Sequence, residues 1–369
     1  MKIIGFYKSF LLSPLGLRRL GINKGYDRRL FFMSFEDSLK YLFDCYGIAG
    51  QKEYCLAPDF YCPSTLAFLE KYLKLAFYKT NPDFSTDKNS YFKQFEKYRP
   101  KVTINYSFTG FKLNPREEKE FASLKKESDI IIYDYAHRIL DPSAAPAGAN
   151  IFSIDSIRKH SPFLGSHIIG GNLSPVQNSY LKTTNFYKLK CHILQAAKEC
   201  LDLSALIFSS RRLYLLGDRI FLLLDDLIGG GGGPIKGGFF SFFLYNIISA
   251  PATRECRKNL ALLYNRHFST IQCPLINTLS DDEIKAGEIN YYPLFVADKI
   301  QQNLLDHLIA KNIFAEKLWE LDDLHFQELN SDLYQSFIIF PLNHSIKEND
   351  IIRIYKEIKY FLKKSGYLE

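Results

Sequence analysis

The sequence predicts an α/β fold: a mostly parallel β-sheet sandwiched by helices, with a small C-terminal α+β domain. Three observations predict it. The run Asp129-Ile-Ile-Ile-Tyr133 is apolar on both faces, as a strand covered on both sides of a parallel sheet must be. Strand-like and helix-like patterns alternate over the N-terminal part of the chain, which implies strand-helix-strand units and ligand loops at the carboxyl ends of the strands. The C-terminal part instead reads as a short series of helices and strands. The 369 residues, 47% hydrophobic and 24% charged, are enough for one large or two intimate domains with a substantial core.

The first helix follows Ser34, an N-cap candidate with Asp37 three residues on, and carries Phe35, Leu39, Leu42, Phe43 and Tyr46 at helical spacing. A short strand ends in Leu56-Ala57-Pro58. A helix is predicted over 64–75, opened by Pro63-Ser64-Thr65 and bearing Leu66, Leu69 and Leu73. Strands follow at 76–79, at 101–108, where Val102, Ile104, Tyr106 and Phe108 alternate, and at 129–133; a helix over 115–126 separates the last two. Further strands are expected at 150–154 and 167–169, and a long helix near 180–203. The loops after Pro58, Phe108, Tyr133 and Ile154 are where chemistry is expected.

Residues 211–250 change character, from Leu-rich to an unbroken Gly229–Gly233 run to Phe-rich. The polyglycine lacks the GKS or GKT ending of a phosphate-binding loop, so a flexible linker or flap is the simpler reading. This divides the chain into 1–228, a linker or flap at 229–250, and a small domain at 251–369. In the last part a helix is expected at 254–267, a strand at 291–296, a helix at 298–310, a strand at 337–340, and a closing helix. Ser345 and Glu348 would form its capping box, and Ile351, Tyr355, Ile358 and Leu362 its apolar face.

The net charge of +7 is spread over scattered pairs such as Arg18-Arg19, Arg28-Arg29 and Lys125-Lys126, not gathered into a duplex-binding stripe. Nucleic acid is therefore not an expected partner; an anionic small substrate or peripheral contact with a membrane surface suits the charge. Seven cysteines without a CxxC or a His at metal-ligand spacing predict free thiols in a reducing compartment, hence a cytoplasmic protein with no metal site. The start of the chain lacks the pattern of a signal peptide. The longest apolar run, 239–250, is short of the roughly 20 residues of a bilayer span.

Two segments carry chemistry. Ile130-Ile-Ile-Tyr-Asp134-Tyr-Ala-His137 places a carboxylate and an imidazole just past a buried strand. Phe152-Ser-Ile-Asp-Ser156-Ile-Arg-Lys159-His-Ser-Pro162 runs from a strand into a loop holding Lys159, and a lysine in such a pocket forms an imine with a carbonyl compound.

Asp-x-Ala-His after an apolar strand, then Ser-x-Arg-Lys-x-x-Pro, resembles the DegT/DnrJ/StrS group of fold-type I pyridoxal-phosphate (PLP) enzymes, best known as nucleotide-sugar aminotransferases. Pro58-Asp-Phe-Tyr-Cys62-Pro is similar to that family's aromatic segment beneath the cofactor ring, and Tyr292-Pro293, Leu318-Trp319 and Pro341 fit its C-terminal part. The resemblance implies a fold-type I PLP transferase-like large domain and a homodimer. It implies that Lys159 holds PLP as a Schiff base and moves protons, that Asp134 pairs with the pyridine nitrogen, and that His137 sits near the phenolic oxygen. Tyr61 would stack on the ring, and Ser156 would reach the phosphate.

The phosphate cup departs from the family. Ser34-Phe-Glu-Asp-Ser38 stands where a Ser-Gly-Arg or Ser-Gly-Thr opening is usual, leaving Ser34 and Ser38 as phosphate candidates but adding Glu36 and Asp37 where a dianion lies. Tyr133 replaces an acid, and Gly165-Ser-His167 replaces Asp-Gly-Gly. Three readings follow. The first is a PLP-dependent aminotransferase that uses an amino donor such as glutamate on a nucleotide-linked keto sugar, in surface-polysaccharide or secondary-metabolite sugar synthesis. Arg28, Arg29 or Arg254 would then meet the diphosphate. The second is a non-catalytic or repurposed relative that binds a partner. The third is a PLP enzyme of a different reaction type.

Overall fold

Ile130, Ile131 and Ile132 are fully buried in the middle of a seven-stranded sheet. In the computed structural model the described residues are 2–5, 29–126, 129–138, 148–159, 164–171, 185–228, 234–237, 250–319, 329–343 and 345–368. The strands are β1 (Arg29–Phe32), β2 (Tyr54–Pro58), β3 (Lys74–Tyr78), β4 (Val102–Asn105), β5 (Ile130–Tyr135), β6 (Ile151–Asp155) and β7 (Ser166–Gly170). They lie in the order β1-β7-β6-β5-β4-β2-β3. From β3 to β6 every pairing is parallel, while β7 runs antiparallel to both β6 and β1.

Period-two alternation along β5 sends its isoleucines to different layers. Ile130 and Ile132 pack with Leu39 and Leu42 of α1 (Phe35–Cys45) and Leu66 and Leu69 of α2 (Pro63–Glu70). Ile131 packs with Tyr91 and Phe95 of α3 (Lys88–Tyr98) and Phe121 of α4 (Pro115–Leu124). Pairing of Asp134 with Ile154 and of Tyr135 with Asp155 sets the carboxyl ends of β5 and β6 side by side.

Two long helices follow, α5 (Asn185–Phe208) and α6 (Arg211–Leu227), packed against each other. The C-terminal part holds α7 (Ala250–Phe268), α8 (Asp281–Ala286), α9 (Asp298–Ala310), α10 (Ser331–Gln335) and α11 (Glu348–Lys364). These accompany an antiparallel sheet of β8 (Ile276–Thr278), β9 (Tyr291–Val296) and β10 (Phe337–Pro341), ordered β10-β9-β8. Ile351, Ile358 and Leu362 of α11 are completely buried in that core.

Several elements differ from their predicted form. The helix expected over 64–75 stops at Glu70: Leu73 continues the helical spacing and is buried, but residues 74–78 form β3 beside β2, where each backbone group gains a ladder partner. The edge strand β1 and the helix α3, capped by Asp87 through Ser90 N, have no counterpart in the prediction. The closing helix starts after Lys347, whose amide donates to Asp350 at 2.9 Å, whereas Ser345 is taken up by Asn343. Of the predicted linker, residues 234–237 are described and are fixed to β1: Met33 N donates to Ile235 O at 2.8 Å and Gly237 N to Phe31 O at 2.9 Å. The polyglycine 229–233, the Phe-rich residues 239–249 and residues 180–184 lie outside the described residues. Among the described residues no helix is long and apolar enough to cross a membrane, and all seven cysteines are free thiols.

Candidate active site

A cleft of ≈ 300 Å³ opens at the carboxyl ends of β2, β5 and β6. Five of the seven predicted site residues line it: Tyr61, Asp134, His137, Ser156 and Lys159. Ser34 and Ser38 do not. The loop after Phe108 also stays away from it, packing instead on the segment before β9 through Glu288 N and Thr109 O.

Asp134 shares the strand face of Ile130 and Ile132 by alternation, but sits where the strand leaves the core. Its Oδ2 accepts from the Tyr61 hydroxyl at 2.5 Å and its Oδ1 from Ala136 N at 2.6 Å. Burial pushes this carboxyl up to about 6, with those two donors pulling the other way, so it is mostly ionised at neutral pH. Tyr61 was expected to form a platform under a ring. Its hydroxyl is directed at Asp134, its ring meets Tyr106 edge-on at 5.1 Å, and only 1% of it is exposed.

Beyond β6 the chain makes a 3-10 turn, Ile157–Lys159. Fully buried Ile157 anchors it, its amide donating to Gly165 O at 2.9 Å. Gly165 must be glycine because a Cβ there would lie 2.2 Å from the Phe31 ring. Asn290 Nδ2 holds the Lys159 carbonyl from the opposite side at 3.4 Å. Burial, reinforced by the Arg158 charge, holds the Lys159 ammonium below the ordinary lysine pKa. Among the described residues Lys159 makes no side-chain hydrogen bond or ion pair.

Arg158, which sequence reasoning passed over, faces the same cleft. It pairs with Asp225 and lies 5.8 Å from the Phe221 ring centre, both on α6. Burial alone would lower its pKa, but the Asp225 and Glu36 carboxylates hold it above the ordinary value. The Arg-Lys doublet was the available signal; its acidic partner lay hidden in the Leu-rich stretch. His137 is 4% exposed and meets the Trp319 ring edge-on at 5.6 Å.

At the start of α1 the two unusual carboxylates part company. Ser34 Oγ accepts from Asp37 N at 3.0 Å and donates to Asp37 Oδ2 at 2.9 Å, while Asp37 Oδ1 accepts from Ile235 N at 3.1 Å. Asp37 is therefore a buried strut for residues 234–237, with burial raising its carboxyl to about 7. Glu36 lines the cleft, and its Oε2 is buried without a hydrogen bond among the described residues. Ser38 is fully buried and bonds Ser166 at 2.7 Å. His167 is equally occupied: its amide donates to Asp155 Oδ1 at 2.7 Å and its Nδ1 lies 3.1 Å from Asp155 Oδ2. The Gly165-Ser-His167 departure thus serves to hold the strand end from which Ser156 and Lys159 project.

No protein-family model matches the chain, and no curated protein matches it. Solved structures do. Spr1654 from Streptococcus pneumoniae, assigned as a sugar aminotransferase and solved in its PMP form, aligns over 98% of this chain and 94% of its own, with a TM-score of 0.60 at 13% identity. PseC from Helicobacter pylori, an aminotransferase of pseudoaminic acid biosynthesis, aligns over 98% and 93%, with a TM-score of 0.59 at 14% identity. DesI, solved with its TDP-sugar product, aligns over 90% and 80%, with a TM-score of 0.56 at 14% identity. The chain has the fold of these proteins.

Proposed function

We propose that the chain is a PLP-dependent aminotransferase of the DegT/DnrJ/StrS type, acting as a homodimer on a nucleotide-linked keto sugar. One observation carries the reading: Lys159, Asp134 and His137 leave neighbouring strand ends and meet in a single cleft, in the fold of sugar aminotransferases.

The residues fit the cofactor at its reactive end and at its ring. A lysine of lowered basicity has a larger share of neutral amine to attack a carbonyl. An ionised Asp134 is a partner for a protonated ring nitrogen. Each of its oxygens takes one donor within the chain, which leaves acceptor capacity. Arg158 and Ser156 are the groups that would hold the phosphate. When bound, PLP supplies an electron sink for negative charge at the carbon beside the substrate nitrogen. Lys159 Nζ then carries the proton to and from that carbon, being the titratable amine in the cleft. Asp134 would hold the protonated ring nitrogen, and His137 and Trp319, which meet edge-on, line the same cleft.

Glu36 favours a second reading, in which the fold is kept and the cofactor given up. Two unit charges of like sign about 4 Å apart repel by roughly 4 kcal/mol at an effective dielectric of 20, so an ionised Glu36 opposes a phosphate dianion. Arg158 is the counterweight.

The test is an amino-donor half-reaction. Protein saturated with PLP is mixed with L-glutamate, and its visible spectrum is followed. The proposal expects a visible band, absent in Lys159→Ala, that glutamate bleaches with release of the oxo acid. A band that no amino acid bleaches contradicts aminotransfer; no band in folded protein at saturating PLP favours the second reading.

A further inference from the structure

Nine of the eleven large hydrophobic side chains that stand exposed among the described residues lie on two helices, α5 and α6. On α5 they are Phe186, Leu189, Ile193, Ile207 and Phe208, and Ala196 and Cys200 are exposed between them. Spacings of three, four and seven residues set Phe186, Leu189, Ile193, Ala196, Cys200 and Ile207 along one line, roughly 30 Å long at 1.5 Å per residue. The buried face lies opposite, and it is the polar one: Lys198 pairs with Asp202 there, both almost fully buried, beside Gln195. α5 thus turns its ion pair inward and its apolar line to solvent, the reverse of an ordinary surface helix. α6 presents Leu215, Leu216, Leu222 and Leu223 outward in the same way, with Tyr214, Gly217 and Leu224 buried beneath. Apolar side chains gathered on one face, rather than scattered singly, mark a surface that meets something.

The two outer faces lie on one side of the molecule. At one end Cys191 of α5 and Leu224 of α6 enter an apolar cluster with Met33 and Leu164; at the other, Ala205 and Tyr214 enter a cluster with Ile3 and Phe314. Between the ends Gly217 lets the helices close, since a Cβ there would lie 2.9 Å from Asp202 Oδ1. The exposed charges of these helices are Lys190, Arg211, Arg212 and Arg219 against Asp226. Among the described residues none of the four cations makes a hydrogen bond or an ion pair. Arg212 and Arg219, seven residues apart, stand between the leucine pairs, so cationic and apolar groups share one face. A second copy placed on this face would set the same excess of positive charge against itself. An anionic lipid surface neutralises that charge while taking up the leucines and phenylalanines.

We propose that the α5–α6 face seats the protein on an anionic membrane surface. The apolar line of α5 and the leucines of α6 enter the headgroup layer, and Arg211, Arg212 and Arg219 meet lipid phosphates. Contact lies in the plane of the surface, since among the described residues no helix is long and apolar enough to cross it. The inference does not depend on the aminotransferase reading.

The test sediments the full-length protein with vesicles of phosphatidylcholine mixed with phosphatidylglycerol, and with vesicles of phosphatidylcholine alone, at low and at moderate salt. The expected result is binding to the mixed vesicles that salt weakens, and binding to phosphatidylcholine alone weaker by about tenfold or more. Arg212→Gln/Arg219→Gln should remove most of that preference. Ile193→Ser/Leu222→Ser, at positions more than half exposed, should weaken binding to the mixed vesicles by about tenfold or more, with thermal melts showing both variants folded. No binding by folded protein overturns the proposal, as does binding that neither variant weakens. Equal binding to both kinds of vesicle overturns the assignment to anionic lipid. A protein that ignores vesicles, and whose mass in sedimentation velocity is halved by Ile193→Ser/Leu222→Ser, uses the face to join two copies, which also overturns it. None of these readouts involves PLP, so their failure leaves the reading of Lys159 untouched.

Discussion

The cleft at Lys159 sets three carboxylates, Glu36, Asp134 and Asp225, against Arg158 and Lys159, whereas the cleft next to it sets five cations against Glu255 and Glu288. They meet where β5 ends, His137 lining the first and Arg138 the second, yet the charges among their lining side chains are of opposite balance. The difference assigns different work to each. In the first, burial lowers the lysine and raises Asp134, which suits an amine that must lose its proton and a carboxylate that must face a cation. In the second, Glu288 lies between Arg138 and Arg254, and Lys258 Nζ is tied to the Lys285 carbonyl. Phosphate binding is therefore expected to be weak beside Glu36, whose Oε2 is buried in the first cleft.

The largest effect that would sharpen this contrast is at Lys159. Replacing it by Ala should lower transamination by about a thousandfold or more, because both the nucleophile and the proton carrier are lost. Steady-state rates on PLP-loaded protein check this. Next in size is Asp134→Asn. It removes the charge opposite the ring nitrogen, and activity should fall by about a hundredfold; a carboxyl titrating near 6 in the cofactor-free protein should vanish from its infrared spectrum.

Glu36→Gln sharpens the comparison by removing the carboxylate that opposes phosphate in the first cleft. PLP affinity should rise by about tenfold or more as the like charge leaves. Equal PLP affinity in Glu36→Gln and wild type would mean that Glu36 does not oppose the phosphate.

The smallest effect is on stability. The folded Asp37 carboxyl is raised from 3.8 to about 7, chiefly by burial, so the fold prefers its protonated form. Its stabilising contribution is complete below about pH 4 and is lost as pH rises towards 7. Asp37→Asn keeps an acceptor for Ile235 N and should flatten this fall, gaining on the order of 1–3 kcal/mol over wild type at pH 8 but little near pH 4. Urea melts at the two pH values check it.

Much of the sheet was legible because β5 opens with a run apolar on both faces, which has few alternative readings, and because apolar residues alternate along β4 and beyond it. The limit of helix 64–75 was not legible, since Leu66, Leu69 and Leu73 fit a helical repeat whether or not the chain turns at residue 71. The strand β1 is only four residues, and its partner β7 lies far along the chain. In the site, the motifs brought out Asp134, His137, Ser156 and Lys159, because each lies at or just beyond the carboxyl end of its strand. They could not separate Glu36 from Asp37: that choice depends on Ile235 N, a contact made 198 residues away. The same limit hid the second cleft, whose cations come from a strand end and two helices; of the arginines proposed for a diphosphate, Arg254 lines it. Arg28 and the side chain of Arg29 lie outside the described residues.

The account stands or falls on covalent chemistry at one amine among many lysines. Protein incubated with PLP, reduced with borohydride and digested should give a single major modified peptide, carrying the reduced cofactor mass on Lys159. Modification spread over exposed lysines, with Lys159 unmodified, would contradict it.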